Sequence, residues 1–211
     1  CDAVVLAGRV RRPDFASLKP DMKGAALLPK IIAAAAKGDG ALLSLVVETL
    51  EAEGVKVLAP ETVLGDLAAP GGALGAFAPS AEDRADIAKA ARLVAALGPF
   101  DVGQAAVVAR GFVLAVEAAE GTDAMLDRCA LLPGRGSERS GVLLKRPKPQ
   151  QERRIDLPVV GAETMRRAAA AGLAGVAVEA GGALVVDRAA TLAAADSLRL
   201  FVYGFSPSEV D

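Results

Sequence analysis

Between Lys145 and Gly161 the chain reads KRPKPQQERRIDLPVVG. Lys145, Arg146, Lys148, Arg153 and Arg154 place five cations close to two carboxylates, Glu152 and Asp156, of which Asp156 sits between Ile155 and Leu157. Apolar neighbours keep water from the Asp156 carboxylate, and the arginines before it supply charge in water's place. Lysine and arginine beside a fixed aspartate suit an anionic diphosphate that also needs a metal ion. A solvated, solubilising loop is the plainer reading of any basic run.

A second stretch, VEAAEGTDAML from Val116 to Leu126, ends a predicted strand on Glu117 and Glu120, bends at Gly121 and starts a helix at Thr122 and Asp123. Thr122 reads as the helix cap and Asp123 as its dipole complement. The same arrangement, a helix N-terminus beside carboxylates, can hold a metal-bridged phosphate. In DVGQAA, Asp101 and Gln104 can orient ligand groups, although a polar helix-to-strand loop is equally ordinary. Arg9, Arg11 and Arg12 follow the first predicted strand, where open α/β sheets place ligands. A surface-charge reading serves them as well.

Composition narrows the chemistry. The 211 residues contain no histidine, which removes Ser-His-Asp and Cys-His nucleophiles and histidine-ligated zinc. Carboxylates, Lys, Arg, hydroxyls and backbone amides remain, and with them a hard ion such as Mg2+ or Mn2+. A net charge of −2 and 3% aromatic residues leave neither a basic field nor stacking platforms, so no nucleic-acid role is expected. Two distant cysteines, Cys1 and Cys129, fit a reducing, cytoplasmic compartment. No uninterrupted apolar run approaches the roughly 18 residues of a membrane span.

Those groups must be positioned by recognisable elements. DAVVLAG reads as a buried strand, Pro29 as a helix start, and DGALLSLVVETLEAEG as a helix stopped by Gly54, before the strand VKVL. Strand, helices and strand predict a parallel βαβ-like unit over residues 1–66. Glycines and prolines over 67–79 read as a linker. Ser80 to Asp83 is a capping-box start for a helix to about Leu97. Within 80–211, QAAVVARGFVLAVEA predicts a hairpin about Arg110-Gly111, and GVAVEAGGALVVD a second about Gly181-Gly182. Leu198–Gly204 reads as a final strand. The expected fold class is α/β and α+β.

GRVRRPDF, DVGQAAVV, VLAVEAAEGTDAML, LLKRPKPQQERRIDLPVVG and AGLAGVAVEAGGALVVD, in this order, resemble the UDP-2,3-diacylglucosamine pyrophosphatases of the LpxI type. The resemblance implies a Rossmann-like N-terminal domain, here beginning after its first segment, and a family-specific C-terminal catalytic domain, in a homodimer. It implies hydrolysis of UDP-2,3-diacylglucosamine to UMP and 2,3-diacylglucosamine 1-phosphate by water attacking the β-phosphorus, with Mg2+, at the cytoplasmic face of a Gram-negative inner membrane. It marks Asp156 as essential. Lying inside the matched motifs, Asp156, Lys148 and Gln151 are the expected catalytic groups. Thr122, Lys145, Arg154, Gln104 and Arg9 are the expected substrate contacts, and Asp156, Glu120 and Asp123 the metal ligands. A non-catalytic module that binds a nucleotide-lipid or another anion is the alternative.

Overall fold

The computed structural model describes residues 1–8, 19–132, 138–149 and 151–210. Arg9, Arg11 and Arg12 therefore lie outside the described residues.

The N-terminal part follows from its apolar pattern. Strand β1 (Ala3–Val5) is followed by α1 (Met22–Ala35), α2 (Asp39–Ala52) and β2 (Lys56–Leu58). β1 and β2 pair in parallel, Val4 opposite Val57, as the strand-helices-strand reading requires. Val47 of α2 is buried, and Gly54, at φ 84°, lets the chain leave the helix. One local expectation changes. Pro29 lies inside α1 and does not start it. The start belongs to Asp21, whose side chain accepts from Gly24 N at 2.7 Å, and a carboxylate cap there outweighs the proline signal. A short helix, α3 (Pro60–Val63), ends this part.

Residues 67–79, read as a linker from their glycines and prolines, are built into the next sheet. β3 (Gly72–Ala73) pairs antiparallel with β10 (Phe201–Phe205), and Ala69 N donates to Ala183 O at 2.8 Å. A Cβ on Gly204 would lie 1.9 Å from Pro70 O, so this close backbone approach requires glycine.

Among the described residues the larger sheet has six strands in the order β3-β10-β8-β6-β4-β5. The remaining members are β4 (Ala105–Ala109), β5 (Phe112–Val116), β6 (Val142–Lys145) and β8 (Gly175–Glu179). β10, β8 and β6 run parallel, while β4 is antiparallel to both β6 and β5. Helix α4 (Ala81–Leu97) covers one face, closed at its start by the expected capping box of Ser80 and Asp83. Its Ile87, Ala90 and Val94 pack on Ala106, Val108, Val142 and Leu144. α5 (Gly121–Ala130), α6 (Ala162–Ala170) and α7 (Arg188–Ser197) cover the other face, against Val107, Leu143 and Val176. The two-residue alternation along β4 and β6 thus divides between two cores.

The hairpin about Arg110 and Gly111 forms as its sequence predicts. Both residues have positive φ, 50° and 77°, and buried Asp86 accepts from both of their N–H groups. The hairpin about Gly181 and Gly182 does not form. β8 has parallel partners on both sides, so no edge is open for the returning chain. That chain, β9 (Leu184–Val185), instead pairs in parallel with β7 (Val159–Val160) in a separate two-stranded sheet. Among the described residues no helix is long and apolar enough to cross a membrane.

Candidate active site

A cleft of about 540 Å3 opens where four segments converge. Asp39, Leu42 and Leu43 of α2 form one wall. Asp101 to Gln104 lead into β4, Glu117 to Ala119 and Gly121 join β5 to α5, and Lys148, Gln151, Ile155 and Asp156 come from the loop after β6. That loop leaves the carboxyl end of β6, a parallel-paired strand, which is where α/β sheets present ligand-binding residues.

Gln151 organises the loop. It is buried, and its Oε1 accepts from Lys148 N at 2.8 Å. Its Nε2 donates to Gln104 Oε1 at 3.3 Å and to the Asp156 carbonyl. One amide therefore fixes Lys148 and Asp156 relative to each other and to Gln104. Across the cleft, buried Glu117 performs a similar task. Its Oε1 accepts from the Thr122 hydroxyl at 2.7 Å and its Oε2 from Gln104 N at 3.0 Å. Thr122 is thus not the cap of α5, which has no side-chain cap; its hydroxyl is spent on Glu117.

Asp156 is half-buried, and desolvation pushes its carboxyl pKa up from the usual aspartate value. The side-chain bond to Gln151 and the Lys148 charge oppose that shift, whereas Asp101 and Asp39 reinforce it. Lys148 Nζ forms an ion pair with Asp101 Oδ1. Asp156 is therefore a partly buried carboxylate, held from one side by an amide and a cation and repelled by two other acids.

The other expected site residues have different partners. Glu120 and Asp123 are exposed and do not line the cleft. Glu120 pairs with Arg128 Nη2 at 2.9 Å and is held below the usual range, first by backbone N–H donation and then by Arg128. Asp123 lies 3.8 Å from Arg167 Nε. Arg154 ties Glu51 of α2 to Glu152 at 2.6 and 2.8 Å, and Arg146 and Arg153 both pair with buried Glu179. Of the five cations between Lys145 and Arg154, Lys148 alone is on the cleft wall. Asp39 carried no signal in the sequence, because what brings it into the cleft is the packing of α2.

Lys145 is buried and does not line the cleft. It follows the parity of Leu143 and is 6% exposed, with Nζ donating to Val159 O at 3.1 Å. Burial pushes its pKa down, while Glu117 and Asp123 pull it up. Lys145→Glu would bury a second carboxylate beside Glu117 without a cation. It is expected to cost about 3–5 kcal/mol of stability, read as a lowered urea midpoint. An unchanged midpoint would show that the ammonium is not buried in this way.

Among the described residues no three Asp, Glu or Cys side chains gather as a metal cage. A Mg2+ held mainly by water and substrate phosphates needs only one or two protein carboxylates. Asp156 fits that role, since its ionised form lacks full compensation, whereas both oxygens of Glu117 are already occupied.

These features define a two-part α/β protein with a cleft lined by carboxylates and one lysine between its parts. Residues 1–67 match the LpxI N-terminal domain and residues 70–203 the LpxI C-terminal domain, and the chain belongs to the LpxI family. It is 53% identical over 213 aligned positions to UDP-2,3-diacylglucosamine pyrophosphatase LpxI of Caulobacter vibrioides, spanning 99% of this chain and 76% of that relative.

Proposed function

We propose that the chain hydrolyses UDP-2,3-diacylglucosamine to UMP and 2,3-diacylglucosamine 1-phosphate, in lipid A synthesis, as a homodimer working from the cytoplasmic face of the inner membrane. The observation that carries the reading is the convergence of Asp156, Lys148 and Gln151 on one cleft in a chain so similar to a UDP-2,3-diacylglucosamine pyrophosphatase. Water adds to the β-phosphorus, the bond from that phosphorus to the bridging oxygen breaks, and the oxygen leaves with UMP. Lys148 neutralises charge gathering on the diphosphate as the bridge breaks. Asp156 orients the attacking water and takes its proton, and its desolvated position makes it a better base than an exposed aspartate. Gln151 fixes both groups through its three hydrogen bonds. Asp156 would hold a Mg2+ or Mn2+ ion, which would supply Lewis-acid charge to the phosphates.

The test is UMP release from UDP-2,3-diacylglucosamine in 18O-labelled water, with Mg2+, with EDTA, and with Mg2+ or Mn2+ restored. The expected result is release lost in EDTA and regained with metal, with the label in the lipid phosphate. Label in UMP would overturn attack at the β-phosphorus, and a full rate in EDTA would overturn metal dependence.

A further inference from the structure

Helix α2 begins without a cap of its own. Its N-cap is Gly38, at φ 123°, which has no side chain to offer. The first N–H of the helix, that of Asp39, donates instead to Asp101 Oδ2 at 3.0 Å, across a separation of 62 residues. A Cβ on residue 38 would lie 2.2 Å from that same oxygen, so the seat for the Asp101 carboxylate exists because residue 38 is glycine.

Asp101 is unusual in its own backbone. It holds φ 56° and ψ 33°, a left-handed conformation that aspartate and asparagine tolerate better than most residues. The turn into β4 thereby aims the carboxylate between two positive ends. One is the α2 N-terminus, where the helix dipole favours an anion. The other is the Lys148 ammonium, whose side chain is 14% exposed and which pairs with Oδ1. Each oxygen thus has a different task.

We propose that Asp101 is a positioning residue of the cleft: it holds the Lys148 ammonium in place and fastens the α2 wall, with Asp39, Leu42 and Leu43, to the loop that bears Asp156. Its kinetic consequence rests on the hydrolase reading, whereas the clasp on α2 does not. A bound diphosphate meets a lysine already oriented and a wall already docked, so less ordering accompanies binding and the cation stands where charge develops.

Two variants separate the tasks. Asp101→Asn keeps a side-chain oxygen for Asp39 N–H and tolerates the left-handed backbone, but loses the charge that holds Lys148. Asp101→Gly relieves the backbone and removes both contacts. In Asp101→Asn, kcat for UMP release is expected to fall about ten- to hundredfold with a smaller change in KM. In a Lys148→Met background the same substitution should change kcat by less than about twofold, because residues acting through one another are not additive. Acetylation of Lys148 under trace labelling should speed up about threefold in Asp101→Asn, as the ion pair is lost. Amide exchange at Asp39 should stay within about twofold of wild type in Asp101→Asn and rise about fivefold in Asp101→Gly, the size of a lost helix cap.

Unchanged kcat in Asp101→Asn, an equal further loss in the Lys148→Met background, or unchanged labelling would overturn the role toward Lys148. Unchanged exchange in Asp101→Gly would overturn the clasp. If the wild-type protein releases no UMP, the hydrolase reading fails by itself, and labelling and exchange still decide the position of Asp101.

Discussion

Asp156→Asn is expected to lower UMP release about a thousandfold, the scale of a lost general base, while the protein stays folded. The replacement keeps size and polarity but can neither accept the proton of water nor bring negative charge to a metal ion. The main cause of the raised Asp156 pKa, desolvation, also fixes the sign of the stability change. With the folded value above the ordinary 3.8, the protonated carboxyl favours the folded state below 3.8, and that contribution is lost as pH rises through the folded value. At neutral pH in EDTA, ionised Asp156 therefore opposes folding. The Asn variant should melt at the same temperature or higher there, with its advantage shrinking in acid. Turnover near wild type in Asp156→Asn would remove Asp156 from the chemistry, and a variant that melts much lower would give it a structural role instead.

Lys148→Met should reduce kcat/KM about 10²- to 10³-fold, the scale of losing one preorganised charge-stabilising donor. The size of the effect follows from how the neighbouring cations are used. Arg146 and Arg153 are taken by Glu179, Arg154 by Glu51 and Glu152, and Lys145 is buried. None of these lines the cleft to replace the lost charge. Methionine keeps the apolar stem of the lysine, so packing is spared and the loss reports charge. Steady-state kinetics with the full substrate read it directly, and a loss under about threefold would assign the charge-neutralising role to another group.

Local signals in this chain were legible wherever neighbours in sequence are also partners in space. The Ser80-Asp83 capping box, the Arg110-Gly111 hairpin and the Gly54 helix stop close within a few residues, and each stands where its spacing predicts. The basic run beside Asp156 was readable as a group, but not which of its five cations lines the cleft, and in the fold that one is Lys148. The second glycine pair failed as a hairpin signal for a reason no local window contains. β8 lies between β10 and β6, so both of its edges were already taken.

The sequence by itself determined the chemical vocabulary and the local turns: no histidine, hence carboxylate, lysine and amide chemistry, in elements set by two- and four-residue periodicities. Tertiary structure decided which charges remain available to a ligand. Arg153 spends its charge on Glu179, 26 residues away, Arg154 reaches Glu51 across 103, and Asp101 reaches α2 across 62. Charge pairing depends on distance in space, and only the packing of α2, the β4 turn and the loop after β6 brings those groups together.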